Sequence, residues 1–243
     1  MGVALLHNRV IDLFPPKKPF ARCTWEEISK VCKAGLASEC WAIGDTKNMI
    51  DGDDTTALRI IGFDHDPVED AAAYGREKAG ITLEMVYVPS ELSTPMHTVR
   101  SSFCCWYTSY ASVDYHSIVR REVFPNYLQN TVPSKLQSVI VPVMKEHLQE
   151  NAKLTETADT LFILSANEVY GSNSSAYGAG GTHYAYYAAG NSKVNTLPNG
   201  TAVGVWLRSK NSSDWFQLIS ANGTLDKARC DTTGYYAKPC FCI

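Results

Sequence analysis

The sequence predicts an α+β fold, and two observations carry that prediction. Helical patterns fall in the early and middle parts of the chain, while the residues from about Val203 onward break into short strands. Nowhere do strands and helices alternate in the order that builds a doubly wound parallel sheet. At 243 residues the chain can bury roughly 70–75% of its unfolded surface in a single core. The simplest division is a short arm, residues 1–20, followed by one domain, residues 21–243.

The arm closes on "FPPKKPF", where Pro15, Pro16 and Pro19 favour an extended polyproline-type spacer. The start "MGVALLHNRVIDLF" has no basic leader, and His7, Asn8 and Arg9 interrupt its apolar run, so a secretory signal is not expected. Leu6 stands where a myristoylation signal needs Ser or Thr. No stretch of about 18 apolar residues exists to span a bilayer. These features predict synthesis in a cytoplasm without membrane insertion.

The domain opens with Thr24 followed three residues later by Glu27, a capping box, and Trp25, Ile28, Val31 and Cys32 supply one apolar face. Gly35 is the expected stop. "CWAIGDTKNMIDGDDTTALRIIGFDHD" reads as strand, turn at Asp51-Gly52, and a second strand from Ala57 to Phe63; "GITLEMVYV" supplies another. "DYHSIVRREVF" predicts a helix from Asp114 that ends at Pro125, and "PSKLQSVI" a shorter one opened by Pro133. "TLFILSANEVYG" predicts a buried strand and a turn, and "GAGGTHYAYYAAGN" a glycine-rich lead into a short aromatic helix. The last strands are expected at Val203–Arg208, Trp215–Ser220, Leu225–Arg229 and Lys238–Ile243.

The eight cysteines show no repeated spacing and no CxxC pair, which predicts small buried side chains rather than a zinc or redox site. Cys240 and Cys242 on a strand would share one face. A formal charge of −3 without a long Lys/Arg run gives no support to a nucleic-acid groove. "GAGGTH" lacks the Lys-Ser/Thr of a phosphate loop. "FDHDPVED" gathers Asp64, His65, Asp66, Glu69 and Asp70; these could hold a divalent cation, although the EF-hand spacing is missing and Asp64 or Asp66 bonding its own loop is the simpler reading. There is no GxSxG, HExxH or papain-like signature, and the six histidines (His7, His65, His97, His116, His147, His183) are scattered. No enzyme and no cofactor are expected.

In "VWLRS", Val205 and Leu207 should face one side of a sheet and Trp206 and Arg208 the other. Beyond it, aromatics mixed with Ser, Asn and Asp have the composition of a binding surface; Trp215 and Phe216 could equally be core. The ordered blocks "TWEEIS", "AIGDTKN", "RIIGFDHD", "KAGITL", "LQSVIVPV", "LFILSANEVYG", "HYAYYAAGNSKV", "GVWLRS" and the closing "FCI" resemble a family of domains from phages, prophages and gut Firmicutes. Its members end in a Trp-x-Arg-Ser strand, a variable polar stretch and a terminal Phe-Cys-Ile. The family looks C-type-lectin-like and is similar to the variable proteins diversified by retroelements.

The resemblance implies that the two chain ends pair in one sheet and that the loops after "WLRS" form an exposed platform. Carried over by residue, the ligand-binding candidates are Lys210, Asn211, Ser213, Asp214, Trp215, Phe216, Asn222, Thr224, Asp226, Lys227, Arg229, Asp231, Tyr235 and Tyr236, with Trp206, Arg208 and Ser209 as scaffold. It implies a phage virion protein of the tail or surface that binds a host-surface protein or glycan. Residues 1–20 would attach it to other virion proteins, and homo-oligomerisation would add avidity. The alternative is a decoration or connector protein with no receptor role; a third reading is an oxidase similar to the formylglycine-generating enzymes. The calcium motifs of sugar-binding C-type lectins are missing, so no metal is expected.

Overall fold

The computed structural model describes residues 18–98, 100, 104–106, 117–148, 154–171, 180–212 and 214–243. The expected arm therefore lies outside the described residues up to position 17, as does most of the tract from Met96 to Tyr115.

The first helix, α1 (Trp25–Lys33), begins as its sequence dictates. The Thr24 hydroxyl accepts from the Glu27 N–H at 3.2 Å, and Glu27 reaches back to the Thr24 N–H at 2.7 Å. Gly35, at φ +73°, turns the chain out of it into the one-turn α2 (Ala37–Cys40). Strands β1 (Thr46–Asn48) and β2 (Ala57–Phe63) come next, joined through Gly52 at φ +82°. The short α3 (Ala71–Tyr74), capped by Asp70, leads to β3 (Ile81–Met85). Where β3 begins, Gly80 presses on α1: a Cβ there would lie 2.5 Å from Cys32 Cβ.

The middle of the chain departs from expectation in three places. First, Pro125 does not end its helix. Val119–Val123 form a wide π turn in which the Phe124 N–H bonds Val119 O, and α4 (Phe124–Asn130) continues with Pro125 in its first turn. The change of register falls where proline has no N–H to give. Second, one-turn α5 (Ser134–Gln137) leads into an unforeseen hairpin, β4 (Val143–Leu148) with β5 (Leu154–Asp159). Third, Leu161–Leu164 form no regular strand, and the next element is a helix, α6 (Ala166–Tyr170), with its own capping box between Ser165 and Glu168. This buried extended run links two sheets: Phe162 bridges Cys240, and Leu164 O accepts from the Arg208 N–H.

The aromatic helix is α7 (Ala185–Ala188), and β6 (Asn195–Thr196) pairs with β7 (Ala202–Val203). The C-terminal strands are β8 (Val205–Ser212), β9 (Trp215–Ile219), β10 (Leu225–Arg229) and β11 (Cys240–Cys242). Strand β8 runs four residues beyond the expected Arg208. Two antiparallel sheets dominate, one ordered β1-β2-β3-β11 and one ordered β10-β9-β8. The architecture is α+β. The closing strand lies against β3, with Phe241 opposite Leu83, and the Gly80 and Ile81 N–H groups bond Ile243 O. One core joins Trp25, Ile28 and Cys32 of α1 to Ile60, Leu83, Phe124, Phe162, Trp206, Phe216 and Phe241. All eight cysteines are free thiols; seven are buried and Cys40 is half-buried. Burial pushes the Cys240 and Cys242 thiols well up, which keeps them protonated.

Candidate functional site

Strand β8 is buried without a break from Val205 to Lys210, so both of its faces are covered, and its pairing with β9 shifts register between Trp206 and Lys210. Trp206 is 1% exposed; its indole N–H donates to Thr94 O at 2.8 Å, and Tyr235 packs edge-on against it at 4.9 Å. Arg208 is also 1% exposed, and the Ser209 hydroxyl accepts from the Ala166 N–H at the start of α6. Trp206, Arg208 and Ser209 thus brace β8 against the segments that pack on it.

The proposed binding residues divide into three groups. Lys210, Asp214 and Phe216 are buried: Phe216 packs beside His97, and Asp214 pairs with the exposed Arg100. Asn211, Trp215, Asp231, Tyr235 and Tyr236 are half-buried; Tyr236 is also tied by backbone bonds to Gly204 and Trp206. Asn222, Thr224, Asp226, Lys227 and Arg229 are exposed, on edge strand β10 and the turn before it. The turn is rigid, because the Ser220 hydroxyl bonds both Asn222 Oδ1 and the Thr224 hydroxyl. Lys227 lies over the Trp215 ring at 5.8 Å, and Arg229 pairs with Asp231 at 3.5 Å. Ser213 lies outside the described residues.

The acidic "FDHDPVED" stretch does not assemble as a cation site. Asp64 pairs with Arg76 and Asp70 caps α3, while Asp66 turns into the interior. Among the described residues no group of three His, Cys, Asp or Glu side chains is placed to hold a metal ion.

Asp66 instead joins a buried ionic cluster. Lys145 Nζ, from β4, lies 2.6 Å from Asp66 Oδ1 and 2.7 Å from Glu168 Oε1 of α6. Arg208 grips Glu168 through both oxygens, at 2.6 and 2.7 Å, and donates to Ile163 O and Glu146 O. Tyr184 and Thr82 donate their hydroxyls to Asp66. Burial alone would raise the Asp66 carboxyl, but the Lys145 ammonium more than reverses this and holds it well below the usual range. Glu168 behaves likewise, with Arg208 and then Lys145 outweighing burial. Burial would lower Lys145, and Asp66 and Glu168 together raise it. The cluster holds two cations and two anions, a balance that a low-dielectric interior requires.

A cleft of about 250 Å³ opens over this cluster, bordered by Asp66, Lys145 and Glu168 together with His65, Lys78 and Glu156. His65 stacks on Tyr184 at 3.9 Å and meets the Thr182 hydroxyl at 2.9 Å. A second network lies behind the four-stranded sheet. Glu84 binds Arg59, Tyr187 and Lys238, and Lys238 also donates to Asn195 Oδ1 at 2.7 Å. Burial pushes Lys238 down to about 8 against the pull of Glu84; burial would raise Glu84, yet Arg59 and Lys238 hold it down at about 2.

Sequence reasoning passed over Lys145, Glu168, Glu84 and Lys238. For Glu168 a local signal existed, since Ser165 and Glu168 stand three apart as a capping box. Lys145 sits between Val143 and His147 on the inward face of β4, where alternation could have placed it.

A family model described as a domain of unknown function, DUF6273, matches residues 92–243. No curated protein and no solved structure matches the chain.

Proposed function

The chain belongs to the DUF6273 family, and we propose that it is a phage virion protein whose C-type-lectin-like domain displays a binding face to the host surface. The observation that carries this reading is the outer edge of the β10-β9-β8 sheet. Asp226, Lys227 and Arg229 stand exposed on the edge strand, beside Asn222 and Thr224 on a hydrogen-bonded turn. Beneath them Ala228, Phe216 and Trp206 are packed in the core. Adaptable polar groups on a rigid base suit recognition, because few side chains must be ordered on contact. The closing strand β11 is buried beside β3, while β1 lies at the opposite edge of the same sheet, so the pairing of the two chain ends that the resemblance implies is not seen among the described residues. Residues 1–20 would attach the domain to other virion proteins or to further copies of itself, and neither metal nor cofactor takes part.

One observation favours the alternative of a decoration or connector protein. Of the four aromatic candidates only Trp215 lies against an exposed edge; Phe216 is core, and Tyr235 and Tyr236 are half-buried beside Trp206. Trp215→Ala combined with Lys227→Glu and Arg229→Glu, on particles that carry the chain, separates the two. The binding role predicts normal particle yield with adsorption to host cells reduced by tenfold or more, since a central anchor contributes about 2 kcal/mol. Normal adsorption at normal yield would favour the decoration role, and failed assembly would place this edge inside a virion interface.

A further inference from the structure

We propose that Lys145 and Asp66 condense into an intramolecular amide, a covalent tie between β4 and the loop after β2, with Glu168 relaying the proton. The three side chains are at most 3% exposed, so bulk water does not compete at the reacting atoms. Lys145 Nζ is held against both carboxyls, at 2.6 and 2.7 Å, with the Phe162 ring 4.1 Å away. Such fixed proximity replaces the entropy that a bimolecular condensation must lose.

Charge balance favours this pair over the other pairing in the cluster. Glu168 is already matched by Arg208 through both oxygens. Joining Lys145 to Asp66 removes one buried cation and one buried anion and leaves Arg208–Glu168 neutral as a unit. Desolvating two ions for a salt bridge is unfavourable, and the amide abolishes both charges. The Asp66 carboxyl also receives the Tyr184 hydroxyl, at 2.8 Å from Oδ2 and 3.0 Å from Oδ1, and the Thr82 hydroxyl at 2.5 Å. These donors are placed to stabilise the oxyanion of a tetrahedral intermediate.

The step balances without an oxidant or a co-reactant. The Lys145 ammonium passes one proton to Asp66 Oδ1 along their 2.6 Å hydrogen bond, the freed amine attacks Cγ of the neutral acid to form the C–N bond, and Glu168 Oε1 takes a second proton from that nitrogen. The C–Oδ1 bond then breaks. The departing oxygen leaves as water, carrying two of the three ammonium protons, one of them returned by Glu168. The third proton stays on the amide nitrogen. Because the cleft borders all three residues, the water has a way out. The bond would close a loop of 79 residues.

The mass of the intact chain, purified under reducing conditions and measured in denaturant, tests this directly. We expect a value below the sequence mass by one water, after allowance for removal of Met1. Trypsin should yield residues 60–76 joined to residues 136–153 as one branched species, with no cleavage after Lys145. Lys145→Arg, which keeps the cation, should return to the full mass, and so should Glu168→Gln. A wild-type chain at its full sequence mass would overturn the proposal. So would loss of one ammonia, which points instead to Lys238 and Asn195, or a water lost without the branched peptide. Water loss persisting in Glu168→Gln would overturn the relay assigned to Glu168.

Discussion

Replacing Arg208 with methionine tests whether the Trp-x-Arg-Ser strand is built around a buried guanidinium. Methionine keeps most of the aliphatic length and removes every donor. The wild-type group is 1% exposed and makes four hydrogen bonds: two to Glu168, one to Ile163 O and one to Glu146 O. Without the guanidinium Glu168 keeps only one cation, Lys145, which it shares with Asp66, and a buried cluster left with one cation against two carboxylates costs about 3–5 kcal/mol. Two buried carbonyls each losing a donor add about 1 kcal/mol apiece at the low end. The total, about 5 kcal/mol or more, is a large part of the 5–15 kcal/mol typical of a folded domain. Urea unfolding followed by tryptophan fluorescence would measure it as a lower midpoint at unchanged slope. The double variant with Glu168→Leu should recover about 2 kcal/mol, because Lys145 and Asp66 then balance one another although the α6 cap is lost with the carboxylate. A loss below about 1 kcal/mol for Arg208→Met would refute the reasoning. So would a double variant whose loss equals the sum of the two single ones.

Two further perturbations probe the same packing. Gly80→Ala drives a Cβ to 2.5 Å from Cys32 Cβ and 2.6 Å from its Cα, so α1 must move off the sheet; a loss of about 2 kcal/mol is expected, and an unchanged urea midpoint would contradict this contact. His147 is fully buried, and burial pushes it down to about 4 from an ordinary 6.5. The unfolded chain therefore takes up the proton first. Its contribution is complete above pH 6.5 and is lost as pH falls from 6.5 towards 4, by at most about 1.4 kcal/mol per unit. Midpoints at pH 7, 6 and 5 should show this decline, and His147→Phe should flatten it between pH 6.5 and 5. Equal slopes in the two proteins would refute the assignment.

The parts of the fold legible in the sequence are those decided by neighbours a few residues away. Thr24 and Glu27 cap each other, and the runs Ala57–Phe63 and Leu225–Arg229 carry strand patterns up to their true ends. Pro125 misled because a proline is tolerated in the first turn of a helix, and the π turn at Val119–Val123 hands over to α4 with Pro125 in that turn. Leu161–Leu164 read as a strand because a buried apolar run does not reveal whether its backbone pairs with one neighbour or bridges two.

The candidate site obeys the same limit. Trp215 and Phe216 are adjacent on a strand, so geometry sends one ring outward and the other inward, and both could never have belonged to one surface. Which of the two faces out depends on what covers the β10-β9-β8 sheet, and that covering comes from residues around His97, far away in sequence. Asp66 is the sharpest case. In its own octapeptide it is one acid among several, indistinguishable from Asp64 or Asp70. What separates it is Lys145, 79 residues away, whose charge sits inward on a strand because Asp66 and Glu168 are there to meet it. A buried charge is stable only where its partners already stand, so alternation can turn Lys145 inward and a capping box can mark Glu168, but that the two meet at Asp66 is a property of the assembled fold.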